Sequence, residues 1–241
     1  MSEPLVSIVV PVFNEAGAAA ALASEIHDAF AALAHEIIFV DDASRDATHA
    51  ALMEAKAKIP TLRLLRHERN AGQSRAIRTG VLAARAPIVA TLDGDGQNDP
   101  ADAPRLVRRL LEAPAAVALI GGRRVKRQDS AAKRLASKVG NAVRKRLLND
   151  HADDTGCGLK VFRRDAFLRL PYFDHVHRYL PALFLREGFE TAFEEVAHRP
   201  RLTGVSKYSN LGRLWVSLSD LLGVMWLRAR SRSPGVVVEA G

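Results

Sequence analysis

Pro87-Ile88-Val89-Ala90-Thr91-Leu92-Asp93-Gly94-Asp95-Gly96-Gln97-Asn98-Asp99-Pro100 is the stretch that decides the fold. A short apolar run ends in a polar, glycine-containing turn, and Pro100 then opens a helical pattern to Leu111. That is a buried strand feeding a helix through a loop, the repeating unit of a parallel sheet. Two carboxylates, Asp93 and Asp95, stand one residue apart at the strand end. On an extended chain they would point to opposite faces, but the flanking glycines permit a turn that brings both to one ion. Paired carboxylates suit Mg²⁺ or Mn²⁺ held together with substrate phosphates. An ordinary acidic turn leaving a strand is the alternative.

The same alternation runs outward from this unit. Leu5 to Val12 reads as a strand, Ala16 to Leu33 as a helix, and Glu36 to Asp42 as a second strand. Arg45 to Ile59 is helical in pattern, with Ser44 and Asp46 as cap candidates. Thr61 to Arg66 reads as a strand, Ala71 to Ala84 as a helix with Ser74 as a cap, and Ala115 to Ile120 as a fifth strand. Val196 to Pro200 is a further strand candidate. The expected class is α/β, a mostly parallel, Rossmann-like sheet flanked by helices. Ligands in such sheets bind at the carboxyl ends of the strands. Those ends carry Pro11, Asn14 and Glu15, then Asp41 and Asp42, then Asn70 and Gly72, then Asp93 and Asp95. Asp41 or Asp42 could accept a hydrogen bond from a base or a ribose, or simply cap the next helix.

Charge divides the chain. The 241 residues carry a net charge of +8. Residues 1–120 hold 12 Lys/Arg against 15 Asp/Glu, and residues 121–241 hold 23 against 12. A basic second half implies an anionic partner such as phosphate, a membrane surface or nucleic acid. From Arg123 to Arg146 there are ten Lys/Arg and one acid, Asp129, with apolar residues near helical spacing from Leu135 on. That pattern is a basic amphipathic helix suited to an anionic membrane surface. Leu211 to Leu227 mixes Leu and Trp but is broken by Arg213 and Asp220, and reads as an interfacial helix rather than a span.

Several classes are disfavoured. One cysteine, Cys157, allows no disulfide framework and no Cys-rich zinc site. Neither phosphate-loop glycine pattern follows the first strand, against a P-loop NTPase or a dinucleotide-binding dehydrogenase. The N-terminal run resembles a strand more than a signal peptide. A nucleic-acid-binding protein would need a stacking platform, and aromatic content is only 6%. His198 to Arg201 and Gly204 to Tyr208 suit a loop that closes over phosphate.

Taken in order, Pro11–Glu15, Val40–Ser44, Asn70–Gly72 and Asp93–Pro100 resemble the motifs of family 2 inverting glycosyltransferases. Gly121–Arg124, Asp154–Cys157 with Leu159–Arg164, and Arg199-Pro200 with Gly204–Tyr208 narrow the resemblance to polyprenyl-phosphate glycosyltransferases. These are of the dolichol-phosphate mannose synthase or undecaprenyl-phosphate sugar transferase type. The chain departs from them in the glycines flanking Asp95 and in Cys157-Gly158-Leu159-Lys160, where mannose synthases carry Ser-Gly-Phe-Arg.

The resemblance implies a GT-A catalytic domain over residues 1–210, with a nucleotide-sugar half at 1–120 and an acceptor half at 121–210. An interfacial amphipathic helix and tail would follow over 211–241. It implies sugar transfer from a UDP- or GDP-sugar to a membrane undecaprenyl or dolichyl phosphate, in cell-envelope glycan synthesis. Attachment would be peripheral, on the cytoplasmic face, with a membrane-protein partner or a second copy as added anchors. Asp93, Asp95 and Gln97 would hold Mg²⁺ or Mn²⁺ on the diphosphate. Pro11, Asn14, Glu15, Asp41, Asp42, Asn70, Gly72 and Asp93 would hold the nucleotide sugar, with Arg201 and Lys207 closing on the diphosphate. Arg123, Arg134 and Lys138 would meet the acceptor phosphate. Asp93, Asp95, Arg123 and Lys207 would carry catalysis. If the acceptor were instead a soluble or cell-surface saccharide, Asp153 or Asp154 would be the candidate base.

Overall fold

The computed structural model describes residues 3–125, 144–150, 152, 154–200 and 210–232. Seven strands form one sheet in the order β3-β2-β1-β4-β6-β5-β7. The strands are β1 (Val6–Val12), β2 (His35–Asp41), β3 (Leu62–Arg66), β4 (Ile88–Thr91), β5 (Val117–Arg124), β6 (Lys160–Arg163) and β7 (Glu190–Val196). The helices are α1 (Ala19–Ala29), α2 (Thr48–Lys58), α3 (Gln73–Ala83), α4 (Ala103–Glu112), α5 (Arg164–Leu168), α6 (Leu180–Arg186) and α7 (Asn210–Ala229).

β1 is buried along its whole length, because helices cover both faces of the sheet. Alternation divides its side chains: Val6, Ile8, Val10 and Val12 face α1, α2 and α4, while Val9 faces α3 and its neighbours. The chain runs β1 to β2 to β3 toward one edge, then returns so that β4 lies on the other side of β1. The resulting crevice between β1 and β4 is where an open α/β sheet binds its ligand.

The elements expected over residues 5–120 are present, with shifted ends; the basic amphipathic helix expected between Arg123 and Arg146 lies for the most part outside the described residues. α2 begins at Thr48, three residues late, because Asp46 accepts from the Thr48 backbone N–H at 3.0 Å and holds a turn ahead of it. Ser44 serves Asn14 instead, and Ser74 makes no cap bond to α3. β5 runs on to Arg124, and the strand expected at 196–200 is instead β7, ending at Val196. Its Glu-rich, half-exposed alternation hid it as an edge strand. β6 was not expected from the sequence. It pairs antiparallel with both β4 and β5 and joins the two halves of the chain into one sheet.

Candidate active site

The turn after β4 is shaped by its glycines. A Cβ on Gly94 would lie 2.5 Å from Val12 Cγ1 and 2.7 Å from the Pro11 carbonyl oxygen, so only glycine lets this turn pass against β1. Gly96, at φ 74°, takes the left-handed conformation that reverses the chain. Asn98 Oδ1 accepts from the Asp93 N–H at 2.9 Å, and Asp95 Oδ1 accepts from the Gln97 N–H at 3.1 Å. Asp93 and Asp95 thereby line one cleft of about 670 Å³, together with Pro11, Glu15, Asp42 and Lys160.

Asp93 is a buried carboxylate beside a second carboxylate. Burial first, and the charge of Asp95 second, push its carboxyl up to about 6, opposed by Lys160, Arg124 and a hydrogen bond from Gln73 Nε2. Gly158 makes room for it: a Cβ there would sit 2.2 Å from Asp93 Cγ and Oδ2. Two hard oxygen donors on one cleft fit Mg²⁺ or Mn²⁺, whose other positions would go to water and diphosphate. Among the described residues no group of three or more His, Cys, Asp or Glu could hold a metal. The pair therefore suits an ion shared with a ligand rather than a closed structural site.

Lys160 forms the floor of the cleft. It is 5% exposed, and its Nζ donates to the carbonyl oxygens of Thr155 and Cys157. Burial lowers its pKa, opposed by the charges of Cys157 and Asp93. His177 and Arg178 project from a 3₁₀ turn, Val176–Arg178, into the same cleft. Ser74 Oγ and His177 Nδ1 are 2.7 Å apart. Burial, then Lys160 and Arg178, hold the His177 imidazole well below its usual pKa, so the ring is neutral at pH 7.

A model of the glycosyl transferase family 2 matches residues 7–170. The chain belongs to that family. It is 33% identical over 237 residues to the dodecaprenyl-phosphate galacturonate synthase of Rhizobium johnstonii, covering 95% of this chain and 69% of that one. It is 36% identical over 224 residues to the undecaprenyl-phosphate 4-deoxy-4-formamido-L-arabinose transferase of Pseudomonas fluorescens, covering 91% and 64%. The glycosyltransferase described here thus spans about two thirds of the length of these relatives. Among solved structures, glucosyl-3-phosphoglycerate synthase of Mycobacterium tuberculosis with Mn²⁺ and UDP superposes with a TM-score of 0.71 at 17% identity, covering 98% of this chain and 83% of that one. A mannosyltransferase of Pyrobaculum calidifontis with GDP-mannose and Mn²⁺ gives 0.67 at 18% identity, covering 97% and 67%. The fold is GT-A.

The glycosyltransferase cleft gathers most of the residues expected from sequence, and several take other tasks. Pro11, Glu15, Asp42, Asn70, Gly72, Asp93 and Asp95 all line it. The Asp42 carboxylate is already engaged, accepting from the backbone N–H groups of Ala71 and Gly72 at 2.9 and 2.8 Å and lying 2.7 Å from His67 Nδ1. It shapes the Asn70–Gly72 loop. Asp41 is fully buried, with its oxygens on the Ser44 N–H and beside His49 and Arg66, and has no surface in the cleft. Asn14 Oδ1 accepts from the Arg45 N–H, outside the cleft lining. Gln97 contributes backbone only to the contacts seen here, holding Asp95 and accepting from the Arg199 N–H.

Arg123 points away. Alternation along β5 sends it outward to Glu195 at 2.9 Å, while Arg124 turns inward and clasps Asp154 with Nε at 2.7 Å and Nη2 at 2.8 Å. Asp154, the alternative base, is thus committed to an ion pair. Arg144, part of the basic stretch expected to face an anionic membrane surface, is instead buried and pairs with Asp150. Arg134, Lys138, Asp153, Arg201 and Lys207 lie outside the described residues. Lys160, His177 and Arg178 were not expected as site residues. An unexpected strand carries the first, and a 3₁₀ turn without a sequence period carries the others.

Proposed function

We propose that this glycosyltransferase moves a sugar from a nucleoside-diphosphate sugar to a polyprenyl phosphate in a reaction that depends on Mg²⁺ or Mn²⁺. The observation that carries the reading is Asp93, its carboxyl pushed up to about 6 beside Asp95 at the β1–β4 crevice. A carboxylate raised by burial and by the charge of a neighbouring carboxylate gains most from a divalent cation and the diphosphate it brings. The names of the relatives support the lipid-phosphate acceptor, and the UDP and GDP-mannose complexes of the fold neighbours support the donor class.

The acceptor oxygen is already anionic, so attack at the anomeric carbon needs no general base. Asp93 and Asp95 would hold the ion, which when bound neutralises charge on the leaving diphosphate. The rest is positioning by residues of the nucleotide half, 1–120, and the acceptor half, 121–210. The second reading, a saccharide hydroxyl as acceptor, would need a free carboxylate. Asp154 accepts three hydrogen bonds from Arg124, one from its backbone N–H and two from its guanidinium, which favours the phosphate acceptor.

Among the described residues no helix is long and apolar enough to cross a membrane. α7 suits peripheral attachment. Val224 is buried and Leu221, Met225 and Leu227 pack on the core, while Leu218, Leu222 and Trp226 are 45%, 57% and 63% exposed at four-residue spacing. Such a stripe, next to Arg228 and Arg230, fits the boundary of an anionic bilayer.

A thermal-unfolding panel of UDP, GDP and their sugars, with and without Mn²⁺, tests the donor assignment. A ligand at about 100 times its Kd stabilises the fold by about 2.7 kcal/mol. The expected result is a shift with one nucleotide that needs Mn²⁺. No shift with any of them would sink the reading.

A further inference from the structure

Among the described residues Lys160, Arg124 and Arg178 are cationic side chains in or beside the cleft, and the first two are occupied. Lys160 donates to two backbone carbonyl oxygens, and Arg124 is clasped by Asp154. The third, Arg178, is half-buried, lines the cleft, and its guanidinium makes no hydrogen bond or ion pair to any described residue. Asp220, a carboxylate with which it interacts at longer range, is already paired with His175 Nδ1 at 3.1 Å.

The turn that carries Arg178 is fastened from two sides. From α3, Ser74 Oγ contacts the ring of His177. From α7, Asp220 holds His175 and the Ser217 carbonyl oxygen accepts from Tyr179 Oη at 3.1 Å. His175 itself takes a left-handed φ of 63° to start the turn, a conformation that persists only where surroundings impose it. A guanidinium held on a fixed turn, facing a cleft and making no direct hydrogen bond or ion pair to a described residue, is a preorganised anion site. Its planar fork of donors matches phosphate oxygens.

We propose that Arg178 is a phosphate-binding residue of this cleft, taking either the donor diphosphate or the phosphate of the lipid acceptor. This rests on the reading of the cleft as a site for both. Hydrogen bonds from His175 and Tyr179 tie the turn that carries Arg178 to α7, the helix that presents the apolar stripe Leu218, Leu222 and Trp226.

The test is binding rather than turnover. UDP with Mn²⁺ and, separately, a short-chain polyprenyl phosphate are titrated calorimetrically into the wild type, Arg178→Gln and Arg178→Lys, with unfolding midpoints recorded for each. Arg178→Gln is expected to weaken one of the two ligands by about tenfold or more, and Arg178→Lys to recover part of that loss. Loss on the UDP arm identifies the diphosphate, and loss on the lipid arm identifies the acceptor phosphate. Equal affinities in wild type and Arg178→Gln on both arms overturn the assignment while leaving the proposed function standing. A wild type that binds neither ligand overturns both.

Discussion

Gly158→Ala is the perturbation that isolates the cation pair most cleanly. The added methyl carbon would lie 2.2 Å from Asp93 Cγ and Oδ2 and 2.5 Å from Oδ1. Ordinary carbon contacts begin near 3.5 Å, so the carboxylate or the Gly158 backbone must give way by about 1 Å. Neither moves easily. The Asp93 N–H is fixed on Asn98, the Gly158 carbonyl oxygen accepts from Thr91 Oγ1 at 2.8 Å, and the Leu159 carbonyl oxygen accepts from the Gly122 N–H at 2.9 Å. Overpacking of this kind costs about 1–3 kcal/mol of stability. A 1 Å displacement of a positioned group costs on the order of 100-fold in rate. The expected outcome is therefore a folded protein with kcat/KM for sugar transfer down about 100-fold and weaker Mn²⁺ binding, read by paramagnetic resonance of the free ion. Gly223→Ala is the control, since a Cβ on that α7 residue meets nothing within 4 Å. A Gly158→Ala enzyme with the wild-type rate and Mn²⁺ affinity would refute the geometry argued for Asp93.

Other outcomes follow from the same contacts. Asp93 has its carboxyl raised from 3.8 to about 6 in the fold, so the folded state binds that proton more tightly than the unfolded chain. Its contribution makes the metal-free protein more stable as pH falls from 7 through 6 toward 4, and loses that gain as pH rises again. Unfolding midpoints of wild type and Asp93→Asn across that range should differ in this sense, and matching pH profiles would count against the raised carboxyl. Asp154→Asn breaks a pair whose side chains are 14% and 9% exposed, which should cost about 3–5 kcal/mol in stability. A collapsed rate at an unchanged unfolding midpoint would instead restore Asp154 as a base. Replacing Leu218, Leu222 and Trp226 together by Ser should reduce co-sedimentation with anionic vesicles without moving nucleotide binding. Unchanged sedimentation would remove α7 from the membrane account.

The fold was legible in the first half of the chain because burial there is continuous. A fully buried parallel strand such as β1 reads as an unbroken apolar run, and α1, α3 and α4 keep a helical period between the strands. β6 and β7 escaped notice for opposite reasons. β6 is four residues long, and β7 is an edge strand rich in Glu. Asp93-Gly94-Asp95 alone reads equally as an ordinary acidic turn, and it is the polar ends of the other strands that mark the pair; Gly96, out of pattern with the resembling family, is explained by its left-handed φ. The choice between Arg123 and Arg124 depended on which way β5 faces, a matter of period two that no local composition records. Asp41 and Asp42 looked alike in sequence, yet one is sealed in the core and the other reaches the cleft while organising a loop. Nothing near Val176–Arg178 announces that α3 and α7 converge on it, because those contacts span 103 and 45 residues.

The most direct measurement is transfer of radiolabelled sugar from nucleoside-diphosphate donors into solvent-extractable undecaprenyl phosphate, run with Mn²⁺, with excess chelator, and with Asp95→Ala. The account expects label in the lipid phase with one donor class in Mn²⁺, and none under chelator or in the variant. Undiminished transfer in chelator, or transfer only to water-soluble acceptors, would contradict it.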